Sequence, residues 1–142
     1  MSLLDKVLGN KPDYPELDPD GQIAQQVKNV RQPLENLMDQ IKDPMEIVPA
    51  QERTYVIIGK PPKKFGIAWI EGTDVVNFQK CAQEAGVNAG QMGEISDKLR
   101  SAYEKHESSE RYVTTVAGRK IVVTPSADLS RDVHDIVSQV IQ

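Results

Sequence analysis

The chain is poor in the groups that most often advertise chemistry. It holds one cysteine, Cys81, which excludes an internal disulfide framework and fits a reducing compartment. No apolar run approaches the roughly 18 to 20 residues that cross a bilayer. The opening MSLLDKVLGN sets Asp5 among its first apolar residues and lacks the long hydrophobic region and small-residue cleavage site of a secretory leader. A cytoplasmic protein with no membrane attachment is expected. A basic excess is also missing: 17 Lys and Arg stand against 21 Asp and Glu, a net charge of −4, which argues against a dedicated nucleic-acid binder. No Ser/His/Asp order, paired glutamates or glycine-rich nucleotide fingerprint is present. His106 and His134 are each isolated, outside any H-x-x-x-H, H-E-x-x-H or C-x-x-C pattern. The sequence therefore assigns no catalytic residue, no metal ligand and no cofactor.

What is there describes an ordinary folded domain. With 142 residues, 39% apolar and 27% charged, the chain is long enough to bury a core and too apolar to stay disordered. Its charge is uneven. Residues 1–52 carry five Lys or Arg against ten Asp or Glu, and residues 53–142 carry twelve against eleven. SLLDKVL (2–8) fits a short amphipathic helix. GNKPDYPELDPDG (9–21), with three prolines and several acids, reads as a linker. Residues 1–21 are thus a short helix and flexible acidic linker, ahead of a single domain over 22–142.

The most regular pattern follows. Ile23, Val27, Val30, Leu34, Leu37 and Ile41 recur at intervals of 4-3-4-3-4, a short heptad seam on an amphipathic helix. Pro33 either kinks that helix or starts a second one. The seam has two uses: packing on a sheet, or sealing a dimer or a partner.

A β pattern then takes over. EIV (46–48) fits a short edge strand ended by Pro49. TYVIIG (54–59) and FGIAWIEG (65–72) form a hairpin around GKPPKK. A helix capped by Thr73 or Asp74 is expected to turn Val75, Phe78, Ala82 and Ala85 inward. GEISDKLRSAYEKH makes another helix. RYVTTVAG (111–118) and KIVVT (120–124) pair around a tight turn at Gly118–Arg119, and a last helix is capped by Ser126. RTYV, KFGI and DVVNF (from 53, 64 and 74) resemble ERYV, KIVV and DVHDI (from 110, 120 and 132). Residues 53–85 and 110–142 then form two ββα-like units, or chance likenesses between short strands. The expected fold is α+β: a four-stranded antiparallel sheet, five with EIV, helices mainly on one face, and an N-terminal amphipathic helix.

GKPPKKFG (59–66) places three lysines around two prolines. A phosphate loop needs backbone N–H donors, a Ser or Thr after its lysine, and a following helix. Pro61 and Pro62 donate nothing, so that reading fails. An electrostatic one survives: Lys60, Lys63 and Lys64 at one hairpin tip, with Arg119 and Lys120 at the other, form a candidate anion-binding rim. Against it, solvated hairpin tips favour lysine anyway. Cys81 shares a face with Phe78 and has no base in sequence reach. Asp128, Asp132 and Asp135 read as a solvated helix face beside His134, and Trp69 as a core residue.

Two functions follow. The first is a non-catalytic protein-interaction or assembly module, adaptor-like or chaperone-like, acting as a homodimer or on another protein, with the seam as its interface and an open sheet face. The element order and a pI near 5.2 resemble the layout and charge of small acidic secretion chaperones, which implies the same class of role. The second is an anion- or nucleotide-responsive small-ligand domain, or small enzyme, using the basic hairpin tips.

Overall fold

Two helices carry the seam, the second of the alternatives that Pro33 left open: α1 (Gln22–Asn29) and α2 (Arg31–Gln40), which begins two residues before the proline. Pro33 accounts for the break. It has no N–H to offer the Asn29 carbonyl, and its ring crowds that group. A continuous helix therefore cannot pass, and the chain bends at Val30 (φ −109°, ψ 11°). Pro33 becomes the third residue of α2, where no intrahelical bond is owed. This is a computed structural model, and it describes residues 14–50, 53–61 and 65–140. The helix expected over 2–8, and the linker up to residue 13, lie outside those residues.

The remaining elements are β1 (Met45–Val48), β2 (Thr54–Gly59), β3 (Phe65–Glu71), β4 (Asp74–Asn77), α3 (Phe78–Glu84), α4 (Ala89–Lys105), β5 (Tyr112–Val116), β6 (Arg119–Val123) and α5 (Ala127–Ser138). The fold is α+β, but the sheet is six-stranded and mixed, in the order β4-β3-β2-β1-β6-β5. This corrects the expected four or five antiparallel strands. All neighbours are antiparallel except β1 and β6, which run parallel with Glu46 opposite Val122 and Ile47 opposite Val123. The segment expected at an edge, 46–48, is the sheet's centre and is buried throughout.

Helices cover both faces, not mainly one. On one side Val27, Leu34, Leu37 and Met38 pack on Ile47, Val56, Ile70, Ile121 and Val123. On the other, Phe78, Ala82, Leu99, Leu129, Val133 and Val137 pack on Tyr55, Ile57, Ile67 and Trp69. Successive strand residues alternate between these two cores, as the pleat requires. The near-continuous apolar runs of β2 and β3 are what two-sided burial asks for.

The helix expected to begin at Thr73 or Asp74 starts later. Glu71 pairs with Asp74 across a turn at Gly72 (φ 61°), and the β-branched pair Val75–Val76 extends as edge strand β4. Asn77 then caps α3 by accepting from the Lys80 N–H. Val75, expected inside, is 37% exposed. The second hairpin turns one residue earlier than expected, on Ala117 (φ 51°) and Gly118 (φ 78°), the two positive φ values of a type I′ turn. Both hairpins turn at the same end of the sheet, since β2 runs against β1 while β6 runs with it. Part of the segment expected to be flexible is tied down: Leu17 N–H bonds the Val113 carbonyl at 2.8 Å, and Val113 N–H bonds the Pro15 carbonyl at 2.9 Å. The 14–17 stretch thus covers the outer edge of β5.

Glu46 sits in the central strand and is 2% exposed. Its Oε1 accepts from Tyr103 Oη (2.8 Å), and its Oε2 accepts from Arg111 Nε (3.1 Å) and Thr124 Oγ1. Arg111 in turn donates to the carbonyls of Glu107 and Ser109. One carboxylate therefore joins β1, α4, β6 and the approach to β5. Among the described residues no buried side-chain nitrogen or oxygen lacks a partner. A second clasp joins α4 to α5: Asp132 meets His106 Nε2 at 2.8 Å and Lys105 Nζ at 3.6 Å. The His106 hydrogen bond, with the Lys105 charge behind it, holds the Asp132 carboxyl below its usual range.

Glu46→Ala leaves Arg111 buried without its anion, so urea denaturation is expected to show a loss of about 3–5 kcal/mol. Glu35→Ala, which breaks only an exposed pair with Arg31, is expected to cost about 0.5 kcal/mol or less. Because Asp132 is depressed in the folded state, its contribution is present above the ordinary carboxylate range and is lost as pH falls through its folded pKa. The stability gap between wild type and Asp132→Asn is expected to shrink as denaturation is repeated from pH 7 down to about pH 3.

Candidate functional site

Of the basic rim expected at the hairpin tips, Lys60, Arg119 and Lys120 are among the described residues. Both tips lie at the end of the sheet where β1 begins, and Gly59 N–H bonds the Pro44 carbonyl there. β2 and β6 are separated by β1, so their backbones stand about 10 Å apart. Lys60 and Lys120 are exposed, while Lys63 and Lys64 lie outside the described residues. Arg119 turns inward instead. Its two terminal nitrogens donate to the carbonyls of Met38, Ile41, Lys42 and Asp43 at 2.9–3.2 Å. That use closes the C-terminus of α2, where a cation also suits the helix dipole.

The seam residues lie on the chain's own sheet. Val27, Leu34 and Leu37 are buried in the core beneath α1 and α2, and Ile23, Val30 and Ile41 are partly buried against it. The other singled-out residues fall as follows. Trp69 is core, 3% exposed. Cys81 is half-buried. Asp128 pairs with Arg131. Among the described residues no group of three His, Cys, Asp or Glu is placed to hold a metal ion, and no helix is long and apolar enough to cross a membrane.

A concave site lies at the opposite end of the sheet. The two parallel strands, β1 and β6, deliver their carboxyl ends there; Pro49 follows β1 directly, and Pro125 follows β6 after Thr124. Open α/β sheets hold ligands in this position, where connections diverge from neighbouring parallel strands. The cleft has a volume of about 610 Å³, within the ordinary range for small-molecule sites. Pro49 and Ala50, Pro125, Ile23 and Gln26 of α1, and Ala127, Ser130, Arg131 and His134 of α5 form its walls, with Arg53 and Tyr55 at its base.

No protein family, curated protein or solved structure matches this chain. Tyr55 points to the three-helix side, and its ring packs edge-on against Trp69 with centroids 6.1 Å apart. Its hydroxyl lies 3.0 Å from His134 Nδ1, and Arg53 Nη1 approaches that oxygen at 3.4 Å. Arginine can only donate, so the phenol accepts from Arg53, and the same oxygen shares a hydrogen bond with Nδ1. His134 Nε2 lies 3.4 Å from Ser138 Oγ. Burial raises the Tyr55 pKa, with the Arg53 charge and hydrogen bond opposing it. Arg53 is itself fixed: it pairs with Glu71, and its guanidinium carbon lies 5.1 Å from the Trp69 ring centroid, a cation–π distance. Arg53, Tyr55 and His134 thus form one hydrogen-bonded chain along the cleft.

Sequence reading missed Arg53, Tyr55 and Arg131 as site residues and left His134 on a solvated face. Tyr55 and His134 are 79 residues apart, and no spacing rule joins a strand residue to a helix residue at that separation.

Tyr55→Phe keeps the ring packing and deletes the hydroxyl, so a loss of about 1 kcal/mol is expected from chemical denaturation at pH 7. Its folded pKa being raised, the wild-type hydroxyl stabilises below pH 10 and loses that contribution as pH climbs through the folded value. The gap between the two proteins is accordingly expected to close in strongly alkaline buffer.

Proposed function

We propose that the chain is a small-ligand-binding domain and that its ligand is a small anion seated in the cleft beyond β1 and β6. The observation that carries this reading is the meeting of two guanidiniums, Arg53 and Arg131, with the Tyr55–His134 pair around one cavity of about 610 Å³. Arginine forks recognise planar or tetrahedral oxyanions through paired charge-assisted hydrogen bonds. The proline-flanked loops and α1 supply apolar walls. The reading moves the anion site of the second sequence-based hypothesis from the hairpin tips to the other end of the sheet.

A separate observation supports the assembly reading. β4 has no strand on its outer edge among the described residues, and Val75 is exposed there, whereas the edge of β5 is covered. Edge strands left open in this way can pair with a second chain. Light scattering at micromolar concentration tests it. A mass near twice 15.8 kDa supports the homodimer, and a monomer overturns it.

Ligand binding raises the melting temperature in proportion to the logarithm of ligand concentration over Kd. A panel of millimolar carboxylates, phosphates and sulfate is expected to contain stabilising members. Arg131→Gln, at an exposed position, is expected to weaken their binding about tenfold or more. A flat response across the whole panel overturns the proposal.

A further inference from the structure

We infer that the cleft selects aliphatic monocarboxylates over phosphate esters and nucleotides. The inference rests on the ligand-binding reading above and names the class of ligand. Three features carry it.

The first is charge. Each guanidinium already has a carboxylate against it: Arg53 meets Glu71, and Arg131 meets Asp128 at 2.9 Å. The surplus positive charge left for a ligand is small, which suits a monoanion and not a phosphate dianion or polyphosphate.

The second is the backbone. Phosphate sites in sheet proteins use a run of N–H groups where a strand leads into its next connection. Here Pro49 directly after β1 and Pro125 after Thr124 have no N–H to give, and the Thr124 N–H is spent on the Ile47 carbonyl. At the start of α5 the Ser126 side chain already caps the Leu129 N–H, and Asp128 sets a negative charge in the first turn. That end of the helix is occupied by the chain's own acid.

The third is the lining. Ile23, Ala127, Pro49 and Pro125 line the same cleft as the two guanidiniums, so a ligand with one charged end and a short apolar body finds partners for both parts. Arg131, the exposed guanidinium, is the fork offered to the carboxylate, while Arg53 is held in place by Trp69 and Glu71.

Isothermal titration calorimetry of the full chain with sodium acetate, butyrate, hexanoate and octanoate, each below its micelle concentration, tests the inference. Affinity is expected to rise about fourfold per added methylene until the cleft is filled. It is expected to fall tenfold or more in Arg131→Gln. It is expected to be abolished in Ala127→Trp, where a large side chain on an exposed helix start occupies the cavity without touching the core. Hexanol and methyl phosphate are the controls. Equal binding of hexanol and hexanoate overturns the head-group assignment, and equal binding of acetate and octanoate overturns the apolar wall. Binding of methyl phosphate with none of the carboxylates overturns the inference and leaves the anion reading standing. Binding of no anion at all overturns both.

Discussion

Glu46 carries a charge into the middle of a six-stranded sheet, and a carboxylate taken out of water there costs several kcal/mol unless its oxygens are met by donors. Meeting them fixes much of the architecture. Thr124 must come alongside, which sets β6 parallel to β1. Tyr103 must reach down from the last turns of α4, and Arg111 must sit at the entrance to β5. Each donor comes from a different element, so the geometry satisfying Glu46 also locks the far half of the chain onto the near half. An apolar residue at this position would tolerate many more arrangements.

The candidate site depends on that locking at one remove. Thr124, which binds Glu46, is followed by Pro125 at the cleft and then by α5, which carries Ser130, Arg131 and His134. Val48, two residues beyond Glu46, leads to Pro49 on the opposite wall. The parallel ladder between β1 and β6 spans only two register pairs, yet it sets the width of the cleft. Tyr55 enters from the next strand, with its ring in the core and its hydroxyl at the rim, a division aromatic residues with polar tips make well.

Much of the fold was legible in the residues. The helices near 22–40, 78–84, 89–105 and 127–138 and the strands around 54–59, 65–71, 112–116 and 119–123 follow from periodicity and from caps such as Ser126. The layering was harder. TYVIIG and FGIAWI are apolar at successive positions, which signals burial on both faces, and reading them as one-sided strands put the helices mainly on one face. The MEIV segment looked peripheral because it is short and ends at proline, but its place is set by the non-local Glu46 network. Val75 and Val76 fit a helical stripe as well as a strand, and the turn at Gly72–Thr73 decided between them. The cleft was not legible at all. Arg53, Tyr55 and His134 carry no local pattern, and His134 lies among acids that suggest a wet surface until α5 is docked.

The separation of 78 residues between Glu46 and Thr124 has a kinetic side. Closing a loop of that length costs about 4 kcal/mol in chain entropy, so the β1–β6 pairing belongs late among the contacts, after the local β1–β2–β3 meander. Until β6 arrives, one long side of β1 is an open edge in an otherwise apolar stretch, the kind of surface on which unfinished chains stick together. A carboxylate in the middle of that edge repels an identical edge and resists burial against anything lacking donors. The charge that later holds the finished sheet is, during assembly, the guard that reserves its place for β6.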